Sequence, residues 1–320
     1  MKRKTIIGSK QAPKVKNENN KIHVALFYGG VSSEREVSLM SFKDLNETLL
    51  ELGYTVTPVD VGHDFAEAME KVKPNVVFNG LYGQYSEDGY VPAILDMLGL
   101  KYTHSGVIAS ALGFNKLHAY KIFKTVGIPV TDYRIISKSD AIKGDPIKRP
   151  YVIKPINEGS SVGVQLIFEE DDFDFKNYDW RYGDMIVEPY IPGKELSVTV
   201  FDGKAIGVLE LVPLKKRFYD YESKYTDGFT NHIMPAPLDK NIQQYILDLS
   251  ERAHKAIGCK TLSRVDFRYN PDKGMDGVYI LEINTVPGMT PLSIVPDICA
   301  YHGITYKDIL ERLVKDALRS

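Results

Sequence analysis

Cysteine is scarce in this chain: two in 320 residues, Cys259 and Cys299. Neither stands in metal-ligand spacing or a disulfide pattern, so two reduced structural thiols are expected. No run approaches the ~20 apolar residues that a membrane helix requires. Met1-Lys2-Arg3-Lys4 has the charge of a secretion signal, but only Thr5-Ile6-Ile7 follows before polar sequence resumes, and the apolar region of a signal is missing. A cytoplasmic protein is expected. Charge of one sign is also lacking, with 40 Lys and Arg against 42 Asp and Glu and a net charge of −2. No general attraction for nucleic acid follows from that balance. Two phosphate-binding fingerprints are missing as well. Gly29-Gly30-Val31-Ser32-Ser33-Glu34 is not G-x-G-x-x-G, and no G-x-x-x-x-G-K-[ST] occurs. Any handling of phosphate must rest on different machinery.

What is present is ordinary globular material, 43% hydrophobic and 26% charged, in a length that suggests two or three domains. Residues 1–20 carry five Lys and one Arg and few large apolar side chains, which reads as a disordered basic tail. His23 to Tyr28 forms a buried-type strand ending at Gly29-Gly30. A helix follows, with Ser33 and Glu36 spaced as a capping box and Phe42, Leu45, Leu49 and Leu52 on one face before Gly53. A strand at 55–59, a helix at 65–72 and a strand at 75–78 continue the alternation. That pattern indicates a parallel sheet with covering helices, whose ligands gather beyond the carboxyl ends of the strands.

The middle of the chain reads as strand, glycine loop, strand. Tyr151 to Ile153 runs into Lys154-Pro155, then Asn157-Glu158-Gly159-Ser160-Ser161-Val162-Gly163, then Val164 to Phe168. Small residues let a backbone approach an anion, with Lys154 as a point charge at the mouth. A plain flexible hairpin fits the same residues. Met185 to Ile191 reads as a buried strand leaving toward a hinge that offers backbone groups to a base, and Glu195 opens the next strand. Near the end, Arg264-Val265-Asp266 and Leu281-Glu282-Ile283-Asn284 lie in alternating, β-rich stretches. Residues two apart share a face, so neighbouring strands here would gather two carboxylates, an amide oxygen and a guanidinium. Hard oxygens suit Mg²⁺, and the guanidinium can stabilise charge on a transferring group. One such pair alone suggests a salt-bridged sheet face; two, followed by Val286-Pro287-Gly288-Met289-Thr290, favour a metal–nucleotide site.

Lys154, the 159–163 loop, 188–191, Asp266, Glu282 and Asn284 occur in an order that resembles the ATP-grasp enzymes. The resemblance sharpens to the D-alanine–D-alanine ligases from about residue 22 onward. It is carried by Gly29-Gly30, Ser32 and Glu34-Arg35-Glu36-Val37-Ser38, by Glu87-Asp88-Gly89, and by Tyr102-Thr103 with Ser105-Gly106. Glu158 to Gly163, Phe218 to Tyr225, and Asn284-Thr285 with Pro287 to Thr290 complete the set. Several motifs in one order are far more specific than any one of them.

The resemblance implies an α/β chain with an ATP-grasp fold and an N-terminal Rossmann-like parallel-sheet domain, divided at 21–104, 105–190 and 191–320. It implies ATP-dependent joining of two D-alanines through an acyl phosphate, for peptidoglycan precursors, with ATP, two Mg²⁺ or Mn²⁺, a homodimer and no nucleic-acid or membrane partner. Lys116 and Lys154 would meet the ATP phosphates with Ser160 and Ser161, Glu188, Tyr190 and Ile191 the adenine, and Glu195 the ribose. Asp266, Glu282 and Asn284 would hold the metals. Glu34 would bind the first D-alanine ammonium and form a loop-closing triad with Ser160 and Tyr225, which keeps water from the acyl phosphate. Lys224 would reach the transferred phosphate, Arg264 and the Gly288 N–H would form the oxyanion hole, and Ser293 with the Ile294 backbone would hold the second carboxylate.

One position departs from the family pattern. Tyr82, in Leu81-Tyr82-Gly83, stands where a histidine near the second substrate is usual. A phenol keeps a donor but titrates near ~10 rather than ~6.5, so a shifted pH profile or second-site affinity is expected. A ligase forming D-alanyl-D-lactate is the nearer rival, and Tyr225 speaks for the dipeptide. A non-catalytic nucleotide-binding module is the farther one. It would have little reason to keep Lys116, Lys154, Arg264, Asp266, Glu282 and Asn284, which are costly to bury unpartnered.

Overall fold

The computed structural model of the chain describes residues 2–319, apart from 179, 216–225, 227 and 291. Its first layer is a four-stranded sheet, β1 (Ile6–Ile7), β2 (His23–Tyr28), β3 (Thr55–Asp60) and β4 (Val76–Asn79), in the order β1-β3-β2-β4. β2 pairs parallel with β3 and β4, while β1 runs antiparallel to β3. Period-2 alternation divides the side chains between two faces. Val24, Leu26, Val56, Val76 and Phe78 enter one core, and Ala25, Phe27, Val59 and Val77 the other. Helix α1 (Arg35–Glu51) covers the first face and α2 (Phe65–Val72) and α3 (Tyr90–Met97) the second.

Two expectations fail here. Residues 2–20 are not a disordered tail. β1 zips onto the free edge of β3, Gln11 exchanges backbone hydrogen bonds with Val56, and residues 18–21 form a 3-10 turn. The open edge of a sheet presents unpaired N–H and C=O groups, and a segment with few apolar residues can satisfy them through its backbone alone. The Ser33–Glu36 capping box is also not formed. Glu34 occupies the N-cap without a side-chain cap bond, and its N–H is taken by Ser32 Oγ at 3.2 Å. Ser32 in turn donates to the Tyr82 carbonyl at 2.7 Å. The Glu34 carboxylate is thereby left to point away from the helix backbone.

Helices α4 (Val107–Phe114) and α5 (Lys116–Thr125) lead into an antiparallel sheet of β5 (Arg134–Ile136), β6 (Tyr151–Pro155), β7 (Gln165–Ile167) and β8 (Met185–Pro189), ordered β5-β8-β6-β7. The short α6 (Lys138–Ala141) lies between β5 and β6. A five-stranded antiparallel sheet follows, of β9 (Lys194–Phe201), β10 (Lys204–Pro213), β11 (Thr230–Ile233), β12 (Leu262–Tyr269) and β13 (Val278–Asn284), ordered β11-β10-β9-β12-β13. Its inner face, with Leu196, Val198, Val265, Phe267 and Ile280, packs on α5 and on α7 (Lys240–Ile257). Asp239 caps α7 by accepting from Asn241 N–H, and Gly258 at φ +82° ends it. Each of the fully buried side chains there contributes about 1.5–3 kcal/mol by leaving water. The chain closes with α8 (Ile294–Tyr301) and α9 (Tyr306–Arg319). Ile309, Leu310, Leu313 and Val314 of α9 share a core with Leu45 and Leu49 of α1, so the last helix covers the first sheet. Among the described residues no helix is long and apolar enough to cross a membrane.

Candidate active site

Antiparallel pairing of β12 with β13 sets Asp266 opposite Glu282 and Arg264 opposite Asn284. Val265 and Ile283 point into the core between them, so the four polar side chains share the other face. Arg264 lies along Asp266, Nε at 3.0 Å from both carboxylate oxygens and Nη2 at 2.8 Å from Oδ2, while Ser197 Oγ donates to Oδ1 at 2.6 Å. Glu282 lies 3.8 Å from the Arg264 guanidinium and 3.4 Å from Lys116 Nζ. Asn284 Oδ1 accepts from Val286 N–H at 2.8 Å. Cations from two elements thus face the carboxylates, whose hard oxygens lie side by side.

Two cavities meet at this face. One is lined by Glu34, Tyr82, Ser160, Arg264, Gly288, Ser293 and Ile294, with Glu282 and Asn284. The other has a more apolar wall and takes in Lys154, Ser161, Glu188, Tyr190, Ile191, Glu195 and Asp266. Lys116, Glu158 and Glu282 line both. Every site residue expected from the sequence among the described residues borders one cavity or the other. Lys224 and Tyr225 lie outside the described residues.

In the second cavity Lys154 pairs with Glu188 at 2.8 Å and donates to the Tyr120 hydroxyl at 2.7 Å. Lys116 donates to the Glu158 carbonyl at 2.6 Å. At the hinge, Arg268 spreads over the Tyr190 ring, donates to the Ile191 carbonyl at 2.9 Å and lies 3.4 Å from Glu195. The sequence reading did not include Arg268, although it falls two positions after Asp266 on the same face.

In the first cavity the Ser160 hydroxyl donates to the Glu34 carboxylate. The contact joins the first helix to the glycine loop across 126 residues of chain. Gly159 lies close beneath it, and a Cβ there would force the Glu34 carboxylate to shift. Ser160 and Ser161 both take left-handed backbone, φ +46° and +59°, a cost of about 1–3 kcal/mol each that surrounding contacts must offset. On the opposite wall the Tyr82 hydroxyl donates to Ser41 Oγ at 3.2 Å and accepts the Met289 N–H at 3.1 Å. Tyr306 donates to the Met289 carbonyl at 2.9 Å, and Ser293 Oγ accepts the Thr290 N–H at 2.9 Å. Tyr82 therefore braces the loop carrying Gly288. Burial pushes its phenol up to about 12.

Glu87 opens the Glu87-Asp88-Gly89 motif. It is buried in the same wall and accepts the Gly83 N–H at 3.1 Å. Burial, with the charge of Glu34 second, raises its carboxyl to about 8. Burial and then Glu34 also raise Glu158. Its place in that motif, between Tyr85 and Tyr90, is the sign of Glu87 that the sequence offers.

Residues 122–315 match the family model described as D-ala D-ala ligase C-terminus. The D-alanine–D-alanine ligase of Rickettsia bellii is 51% identical over 305 residues, covering 95% of this chain and 94% of that protein. The chain belongs to the D-alanine–D-alanine ligase family. The ligase of Rickettsia felis is 50% identical over the same shares of the two chains. The crystal structure of the ligase from Bacillus anthracis complexed with ATP superposes with a TM-score of 0.79 at 25% identity, over 93% of this chain and 98% of that one. The architecture is that of the ATP-grasp ligases, as the sequence implied, and the chain is an enzyme of the ligase class.

Proposed function

We propose that the chain joins two D-alanines at the expense of ATP, through D-alanyl phosphate, in the two cavities described. The observation that carries this reading is their shared wall, lined on both sides by Lys116, Glu158 and Glu282, which would set a nucleotide in one cavity against an amino acid in the other. The first D-alanine offers its carboxylate oxygen to the γ-phosphorus of ATP, and the bond to the β–γ bridging oxygen breaks, releasing ADP. The amine of the second D-alanine attacks the acyl carbon, loses a proton, and phosphate leaves from the tetrahedral intermediate.

Glu34 holds the ammonium of the first substrate, and Ser160 fixes that carboxylate. Lys116 and Lys154 meet the phosphates, the second cation turning from Glu188 to do so. The apolar wall with Tyr190 and Ile191 takes the adenine and Glu195 the ribose. Arg264 and the Gly288 N–H lie where an oxyanion develops, and they act without reorganising during the reaction. Ser293 and the Ile294 backbone take the second carboxylate. The adjacent oxygens of Asp266, Glu282 and Asn284 suit two Mg²⁺ or Mn²⁺ ions. When bound, such ions neutralise charge on the transferring phosphoryl group. Lys224 and Tyr225 complete the lid in this reading. The family likeness also supports a homodimer working in the cytoplasm on peptidoglycan precursors.

The test is phosphate release from ATP and Mg²⁺ with D-alanine, with D-alanine plus D-lactate and with L-alanine, products identified by mass. D-alanine-dependent release yielding D-alanyl-D-alanine is expected. A depsipeptide product, or turnover with L-alanine alone, overturns the reading.

A further inference from the structure

The folded N-terminal segment plays no part in the chemistry above, yet it ends on a buried charge. Asp60, at the carboxyl end of β3, is 6% exposed. Arg35 grips it with two bonds, Nη1 to Oδ1 at 2.7 Å and Nη2 to Oδ2 at 2.8 Å, and Nη1 also donates to the Gly30 carbonyl at 3.1 Å. Arg3 takes the second lone pair of Oδ2, at 2.5 Å. The neighbouring chain is anchored in register: Thr5 N–H donates to Asp64 at 2.7 Å, Gly62 N–H to Thr5 Oγ1 at 2.9 Å, and His63 N–H to the Arg3 carbonyl at 3.0 Å. Gly29 leaves room for the grip, since a Cβ there would collide with both Asp60 and Arg35.

Arg35 is the first residue of α1 and follows Glu34 directly. We infer that the N-terminal segment is a positioning strap for the first-substrate carboxylate: Arg3 locks Asp60, Asp60 locks Arg35, and Arg35 fixes the turn and helix start from which Glu34 projects. A charge-assisted bond of this kind is short and directional, and small misplacement of a binding group costs disproportionately in a preorganised site. Arg3 and Arg35 are positioning residues; neither touches substrate. The strap rests on the reading that Glu34 binds the ammonium of the first D-alanine.

The test compares Arg3→Ala, Arg3→Lys and the control Lys4→Ala, whose ammonium lies 3.3 Å from Asp64 on the surface. D-alanine kinetics are resolved into first- and second-site constants, and amide exchange is followed over residues 30–38. Arg3→Ala is expected to raise the first-site KM about 3- to 10-fold, the worth of one part-exposed charged hydrogen bond. It should speed exchange at 30–38 and leave kcat and the ATP KM within twofold. Arg3→Lys should recover most of the loss, Lys4→Ala should match the native protein, and in an Asp60→Asn background Arg3→Ala should add nothing. Unchanged first-site KM in Arg3→Ala, or a fall in kcat that merely tracks a lower melting point, overturns the strap. Glu34→Gln is run alongside. If it keeps first-site affinity, the premise about Glu34 fails and the strap with it. If it loses affinity while Arg3→Ala does not, the strap alone fails.

Discussion

Replacing Lys154 with methionine separates what that residue does for folding from what it does for turnover. Its side chain is 7% exposed and that of Glu188 is 3% exposed, and the two are 2.8 Å apart. Removing one member of such a pair strands the other charge away from water, a cost of about 3–5 kcal/mol. In a chain of this size each kcal/mol lowers the melting midpoint by about 2 °C, so Lys154→Met should melt about 6–10 °C lower. The double variant Lys154→Met with Glu188→Leu removes both charges and keeps the volume, and should recover most of that loss, since apolar replacement of a buried pair is often neutral. Activity should not return with it. Both variants lack the cation proposed to meet the phosphates, and loss of one such preorganised contact costs about 100-fold. The assays are scanning calorimetry and ATP-dependent phosphate release. A single variant melting within 2 °C of the native protein would show that the pair carries no such desolvation penalty. A double variant that regains turnover with its stability would reduce Lys154 to a structural role.

Gly159→Ala should weaken first-site D-alanine binding at least about tenfold by calorimetric titration while barely moving the melting point, because its Cβ meets the Glu34 carboxylate and its backbone needs no left-handed turn; equal affinity would refute the close approach. Glu87 holds its proton to about pH 8 in the fold, whereas the unfolded chain releases it near 4.5. Its contribution is therefore full below about pH 4.5 and lost progressively as pH rises toward 8. Glu87→Gln should remove that slope from melting points taken across the range, and parallel curves would contradict it. Tyr82→His should introduce a limb near pH 6.5 in the rate profile that the native phenol, held up near 12, lacks; an unchanged profile removes the idea that Tyr82 retunes the enzyme.

Alternation made the heart of the site legible before any coordinates. Arg264 with Asp266 and Glu282 with Asn284 had to share faces once their stretches were strands, and the register Asp266 to Glu282 did the rest. The parallel β2, β3 and β4 were legible for the same reason. What escaped was set by distant partners. The edge of β3 recruits residues 2–20 through backbone bonds that leave no trace in side-chain composition. Ser32, bridging to the Tyr82 carbonyl, displaced the local Ser33–Glu36 cap. Arg268, Glu87 and Ser41 acquire their meaning only from neighbours brought close by the fold.

The packing of α9 on α1 has a consequence for how the polypeptide is made. One face of the first sheet, with Val24, Leu26, Val56 and Phe78, is completed by Leu310, Leu313 and Val314 from the last fifteen residues. At translation speeds of ~5–20 residues per second, roughly 11–45 s separate the synthesis of β4 from that of α9. For that interval α1 alone covers this face, and the part that α9 will bury stays open. A ribosome-associated chaperone has its natural target there, and a chain released without its final helix would carry the exposed face with it.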